Sequence, residues 1–592
     1  MSAHSGCGGI ALPRPEGNYG EMTIALPAGT ERRGFGIDVS KPVLYGFAVI
    51  LCLLIVLPLS WLLLYSVTDA KGAFTLNNFY RLFTESSFYD PLVTTFILAT
   101  SSAFICCAVA APMGWLVART DLPFSAIIRA LVTASFVTPP FLGAIAWELL
   151  AAPNSGLLNK IARDWFGMAP DQHLFNIYTL PGIIFVISCY TFPYVFVLVA
   201  NSLDRTPGEL EDASSILGGG RWYTARRVTI PLVLPALLAG ALVAFLQAMT
   251  LFGSPAILAL PAGFHTMTTK IWSLFQFPPK PELAAAASLP LLVLTVILLR
   301  AEHMILGRRG YSVVGGKYGA PRLIPLHRWR WPAFALCLFV LLNPVFLPYA
   351  ALFNAAFSPV ASTFLTVHNF TLHNVNFVLF ELSAASLALK NTVILGTATA
   401  TIGTAIALVI AYVTARQAVT GWRALGFLAT APIAVPGIVL GVGLFLSYTR
   451  PPFVLYGTLW ILLIAFVTIA LPSAYQQLQA AFRTIHPELE DASRILGATR
   501  LRSLWQITAP LLRTGVIATW CFIFVGVMRE LSAAIILFTS ETKVVSVLIY
   551  DLNESGDLGA ISVIGLGMLL ITFAVVIAVN RIPGFGNVRF RT

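Results

Sequence analysis

Long apolar runs alternate with short polar punctuation along most of the chain. Twelve runs reach the length of about 20 residues that a helix needs to cross bilayer hydrocarbon. They predict spans at 43–68, 92–118, 127–152, 179–203, 232–259 and 283–305, then at 332–358, 391–416, 424–448, 453–480, 511–538 and 557–580. Prolines fall in matching places, Pro139-Pro140 in the third run and Pro436 in the ninth, and predict bent helices there. The pattern describes an all-α polytopic membrane protein with two six-helix halves.

The halves repeat each other. Thr94–Arg119 aligns without gaps to Asn391–Arg416, with 10 of 26 positions identical, Thr95/Thr392 and Arg119/Arg416 among them. Glu209–Pro231 aligns to Glu488–Pro510, with 12 of 23 identical. A duplicated unit predicts pseudo-two-fold symmetry with a path between the halves, as in other repeat-built transporters. The divisions expected are a polar cytoplasmic N-terminal segment at 1–42, halves at 43–305 and 332–580, a basic cytoplasmic linker at 306–331 and a cytoplasmic tail at 581–592.

Composition agrees. The 592 residues are 57% hydrophobic and 11% charged, with mean hydropathy +0.82, whereas soluble proteins carry roughly 25% charged residues. The first apolar run is too long for a signal-peptide core, so the chain is expected to be anchored by its own first span. The net charge of +11 reads as loop bias rather than nucleic-acid binding, for which no motif is present. With the N-terminus inside, inside segments hold 27 of the 37 Lys and Arg residues. That predicts both termini, the linker and both copies of the 209–231 segment in the cytoplasm. The seven cysteines lack metal-ligand or disulfide spacing and read as packing residues.

The repeated polar segment is the chief candidate for function. Thr206-Pro207-Gly208-Glu209 has the spacing of a capping box, acidic residues Glu209, Glu211 and Asp212 follow in or near the first turn, and Gly218 is placed to end the helix. The second copy lacks the Thr-x-x-Glu start but keeps Glu488, Glu490, Asp491, Ala492 and Gly497. Each copy predicts a helix–turn–helix whose small residues, such as Ala213, let another protein approach. A self-solvating charged loop would explain one copy, not two at equivalent places.

Asp212-Ala213-Ser214-x-x-x-Gly218 and Asp491-Ala492-Ser493-x-x-x-Gly497 resemble the E-A-A-x-x-x-G loop of inner-membrane permeases of binding-protein-dependent ABC importers, with Asp for Glu and Ser for the second Ala. The fused form is most similar to the ferric-iron permease group, whose second half Met528–Phe538 and Ser546–Gly565 also resemble. The resemblance implies coupling helices at Glu209, Glu211, Asp212, Ala213, Gly218 and at Glu488, Glu490, Asp491, Ala492, Gly497. It implies as partners two cytoplasmic ATPase subunits and an extracytoplasmic binding protein, in the bacterial inner membrane, with ferric iron as cargo. Phosphonate, thiamine, polyamine and sulfate are alternative cargoes within the same resemblance.

No G-x-x-x-x-G-K-[ST] phosphate loop occurs, so no ATPase activity or cofactor is expected of this chain; ATP is bound by the partners. Charges within apolar runs are costly and mark passages or buried pairs. Arg529 and Glu530 are read as lying inside the eleventh span, opposite Thr250 and Leu251 of the fifth. Arg529, Glu530, Thr250, Gln247 and Glu148 are the candidate pathway residues, Glu148 with the alternative of snorkelling to the interface. Asp551, Glu554 and Asp557 read either as a docking loop or as a solvated turn. His368 and His373 lack a carboxylate or cysteine constellation, and no metal site is expected. An ion-coupled carrier is the rival from another class, but it gives no reason for paired polar loops. A membrane enzyme would need a catalytic constellation, and none is evident.

Overall fold

A computed structural model describes residues 40–206, 208–307, 323–417, 420–486 and 488–581. Residues 1–39 of the N-terminal segment, 308–322 of the linker, 582–592 of the tail, and Pro207 and Pro487 of the elbows lie outside the described residues.

The first half runs α1 (Tyr45–Ser66), α2 (Ser86–Arg119), α3 (Ser125–Val137), α4 (Pro140–Ala151), α5 (Leu180–Arg205), α6 (Glu209–Ile216), α7 (Ile230–Thr250), α8 (Gly253–Leu258), α9 (Met267–Ser273) and α10 (Pro281–Gly307). The second half repeats that order as α11 (His327–Phe357), α12 (Ser383–Ala415), α13 (Trp422–Ala434), α14 (Gly437–Tyr448), α15 (Leu459–Arg483), α16 (Glu488–Ile495), α17 (Ala509–Arg529), α18 (Ala534–Leu537), α19 (Val545–Ser555) and α20 (Leu558–Asn580). Ten of these helices are long and apolar enough to cross a membrane, or up to twelve if each bent pair α3–α4 and α13–α14 is one span.

The bends are 97° and 108°. Their cause is local. Thr138 and Val435, each preceding a proline, are extended, and so are Pro139 and Pro436 themselves, which ends one helix and starts the next. The predicted single runs at 127–152 and 424–448 are therefore two helices each, broken at the prolines singled out in the sequence.

Packing shows how the halves interlock. Each half has a three-helix group, α2 with α5 and α7 in the first, α12 with α15 and α17 in the second. The first span of each half leaves its own group and lies on the bent pair of the other half. Thus α1 meets α13 with its beginning and α14 with its end, and α11 meets α3 and α4 in the same order. Close approach at this seam needs small residues: a Cβ on Gly443 of α14 would lie 2.9 Å from the Pro58 carbonyl oxygen of α1. Ile324, just ahead of α11, bonds to Arg119 beside the first elbow; α11 crosses away and α12 returns to Arg416 beside the second, so both polar elbows emerge on one face.

Two hydroxyls repeat at the far end. Thr95 of α2 accepts from the Met267 N–H at 2.7 Å, and Thr392 of α12 accepts from the Val545 N–H at 2.9 Å. They tie α9 to α2 and α19 to α12. Residues 95 to 119 of α2 rise about 36 Å at 1.5 Å each, so these ties and the elbows sit on opposite faces.

Candidate functional site: paired elbows and the helix ends between the halves

Each elbow is one short helix closed by a left-handed residue. Gly218 has φ +84° and Gly497 has φ +90°. The Gly219 N–H donates to the Ser214 carbonyl at 2.8 Å and the Gly218 N–H to Ser215 at 3.1 Å, while Ala498 N–H donates to Ser493 at 3.1 Å. This is the Schellman closure, which satisfies carbonyls the helix leaves open and favours glycine at that one position. The helix start differs from expectation. The helix begins after Gly208, with no side-chain cap, and the Thr206 hydroxyl donates back to the Ser202 carbonyl of α5 at 2.9 Å. The Thr206–Glu209 capping box does not form, because Thr206 ends the preceding span.

The elbows are hooked to the spans by the same three residue types. In the second half Arg416, just past α12, donates to Glu490 through Nε at 3.1 Å and Nη2 at 2.9 Å; the Thr508 hydroxyl donates to the same Glu490 oxygen at 2.9 Å. Both Nη atoms of Arg416 also reach the Ile485 carbonyl at 3.3 Å. In the first half Arg119 Nη2 donates to the Thr206 carbonyl at 2.9 Å and lies 3.7 Å from Glu211, whose Oε1 accepts from Thr229 at 2.8 Å. The repeat offset of 279 relates Thr206 to Ile485, Glu211 to Glu490 and Thr229 to Thr508. One carboxylate per elbow thus joins the end of the long helix, the elbow helix and the next span. Arg119 is fully buried, with Nε and Nη1 unpartnered. The end of the linker lies across it: Ile324 N–H donates to the Arg119 carbonyl at 2.8 Å and Leu326 N–H to Asp121 at 2.8 Å.

The coupling candidates therefore divide. Glu211 and Glu490 turn inward as anchors, whereas Glu209, Ala213, Gly218, Glu488, Asp491, Ala492 and Gly497 are exposed and Asp212 is half-buried. The elbow tips are apolar. Ile216 and Leu217 are 84% and 87% exposed, and Ile495 and Leu496 are 85% and 88% exposed. Reasoning that weighed acidic and small residues missed them, although the identical Ile-Leu pair inside two polar segments was the available clue. Two large apolar residues exposed at equivalent places in both elbows make the tips candidates for a contact surface.

Arg529 is the last residue of the apolar span α17 and Glu530, its extended cap, lies just past it, so the span stops there and does not run on to 538. Thr250 and Leu251 end α7 in the same way. The apolar run continues through Phe538, so hydropathy hides the break. The Glu530 carboxylate accepts from the Ala533 N–H at 3.1 Å, ahead of α18, and the Glu530 carbonyl accepts from Ser546 at 2.8 Å. In the first half Thr268 donates to the Leu251 carbonyl at 3.0 Å in the same way. The Arg529 guanidinium stacks 5.5 Å from the ring centre of Phe136 at the end of α3, itself edge-on to Tyr194 of α5 at 5.0 Å. These contacts cross from one half to the other, and Arg529 Nε is buried without a partner. The Thr250 hydroxyl is turned onto its own helix, to Leu246 at 2.9 Å, and Gln247 is exposed.

Glu148 does not snorkel. Its Oε1 accepts from the Tyr178 hydroxyl at 2.8 Å and its Oε2 is buried without a partner. It stands apart from the Arg529 group. Asp551, Glu554 and Asp557 are not one solvated turn either: Asp551 pairs with Lys543 at 2.6 Å, Glu554 accepts from Tyr550 at 2.8 Å, and Asp557 accepts from the Ala560 N–H at 3.0 Å. Among the described residues no group of three or more His, Cys, Asp or Glu side chains is arranged to hold a metal ion.

Known proteins resemble this chain in sequence. Residues 110–309 and 403–583 each match the family described as binding-protein-dependent transport system inner membrane component, and each match contains one elbow. A ferric transport system permease protein of Actinobacillus pleuropneumoniae is 27% identical over 454 residues, 76% of this chain. The match spans 64% of that relative's length. An Fe(3+)-transport system permease protein of Haemophilus influenzae is 23% identical over 397 residues, 67% of this chain and 75% of its own. A molybdenum transport system permease protein of Escherichia coli is 24% identical over 217 residues, 36% of this chain but 91% of its own, as expected of a single unit. This multi-pass inner-membrane chain belongs to the binding-protein-dependent transport system inner membrane component family, and carries its unit twice.

Proposed function

We propose that the chain forms the translocation path of an ATP-driven importer, taking cargo from an extracytoplasmic binding protein, with ferric iron as the cargo that the relatives' names favour. The elbows face the cytoplasm in this reading, with both termini, and each docks one ATPase subunit through its apolar tip. The chain itself hydrolyses nothing. ATP draws the two subunits together and the elbows follow. Each buried Arg–Glu–Thr hook passes that displacement to the long helix and to the next span. The halves then rock, and because α1 and α11 each lie on the opposite half, neither can move alone.

The duplicated elbow, with its exposed Ile-Leu tip and buried hook, is the observation that carries this reading. An ion-coupled carrier has no use for it. The test is co-purification with the cognate ATPase and uptake in vesicles, before and after Ile216, Leu217, Ile495 and Leu496 are all replaced by Asp. Loss of both is expected. Association and uptake that persist in that variant, or uptake that survives ATP depletion but collapses with an ion gradient, would overturn the proposal.

A further inference from the structure

A cavity of about 520 Å³ opens between the halves on the face away from the elbows. Its position follows from the repeat. The two threonine ties equate Met267 with Val545, an offset of 278, and the same offset equates Trp272 with Tyr550 and Gln276 with Glu554. Trp272 and Tyr550 touch edge-on, ring centres 5.7 Å apart. Symmetry-related residues in contact define the pseudo-two-fold axis, so the cavity they line lies on it.

The walls have a consistent chemistry. Phe275 packs edge-on against Phe445 at 5.2 Å, and Phe445 against Tyr456 at 5.1 Å, which adds three rings to the axial pair. Among the described residues, the only ionisable side chains on the wall besides tyrosine are Asp551 and Glu554. Asp551 is neutralised by Lys543. Glu554 is left with the Tyr550 hydroxyl, which burial and this carboxylate hold protonated, its pKa well above the ordinary tyrosine value. The wall therefore carries one net negative charge among aromatic faces, and the charge exists on one side only, since its counterpart is the neutral Gln276. Aromatic faces and a carboxylate attract a cation and repel an oxyanion. A bare metal ion would need converging oxygen ligands, which the wall does not offer.

We propose that this axial cavity is a binding site for a cation in an organic shell, either a substituted ammonium or a cationic metal chelate. The proposal rests on the importer reading and sharpens it: cargo meets the permease as a cation, not as an oxyanion.

The test is equilibrium binding of radiolabelled tetraethylammonium to the full chain in lipid nanodiscs, without ATP or ATPase. Saturable binding is expected, weakened about tenfold by Glu554→Gln and by Trp272→Ala, and tightened severalfold by Gln276→Glu on the exposed counterpart. Displacement by the monocation ferric ethylenediaminediacetate assigns the site to chelated iron; displacement by spermidine alone assigns it to an ammonium cargo. Absence of saturable binding, equal binding in E554Q and W272A, no response to Q276E, or displacement by molybdate would overturn the proposal. Loss of this binding leaves ATP-driven transport standing, whereas elbows that hold no ATPase leave this site standing.

Discussion

The elbows and the helix ends at the centre are built from the same duplicated sequence, yet one pair stayed alike and the other diverged. At the elbows Arg119/Arg416, Glu211/Glu490, Thr229/Thr508 and the apolar tips all repeat. At the centre Thr250-Leu251 became Arg529-Glu530, and on the far face Gln276 corresponds to Glu554. On the proposed function, two equal inputs explain the first pattern: identical motors need identical sockets. On the same proposed function, a single cargo on a pseudo-two-fold axis explains the lone carboxylate of Glu554 opposite Gln276, because one charge suffices there and a duplicate would repel its twin.

The largest effect should come from the hooks. Arg416→Ala or Arg119→Ala strips a buried carboxylate of its partner and should cost about 3–5 kcal/mol. Thermal unfolding of the purified protein would show it, and the exchanged pair Arg416→Glu with Glu490→Arg should recover part of the loss. Unequal losses would reveal how much the linker strand over Arg119 contributes, since Arg416 is held at 2.9 Å and Arg119 at 3.7 Å from its carboxylate.

Next come the tips. Asp at Ile216 and Leu217 alone, or at Ile495 and Leu496 alone, should weaken ATPase association by about 100-fold, equally for either elbow. A large difference between the two variants would break the symmetry argued above.

At the centre the two halves should respond differently. Arg529→Met should lower uptake by about tenfold with ATPase association intact, consistent with the cost of losing an intramembrane charge contact. Thr250→Val should change uptake by less than about twofold, because its hydroxyl serves only its own helix. Smallest of all, Gly218→Ala and Gly497→Ala should each cost about 1 kcal/mol, the strain of a left-handed residue. Open space surrounds both positions, so no clash adds to it.

The sequence alone located the apolar runs, the duplication, the proline breaks and the two polar elbows. These are local properties: run length, a residue that lacks an N–H, a glycine where φ turns positive, or two strings that match. Tertiary structure decided which way each polar group faces. Glu211 and Glu209 are two residues apart, yet one is an anchor and the other is in water, because only one turns toward Arg119 at the end of another helix. Glu148 was resolved by Tyr178, thirty positions on, and Arg529 by rings of the other half. The ends of α7 and α17 were hidden because an apolar run does not record where backbone hydrogen bonding stops. A buried polar group must find its partner in space, and for these groups the partner lies on an element that periodicity along the chain does not specify.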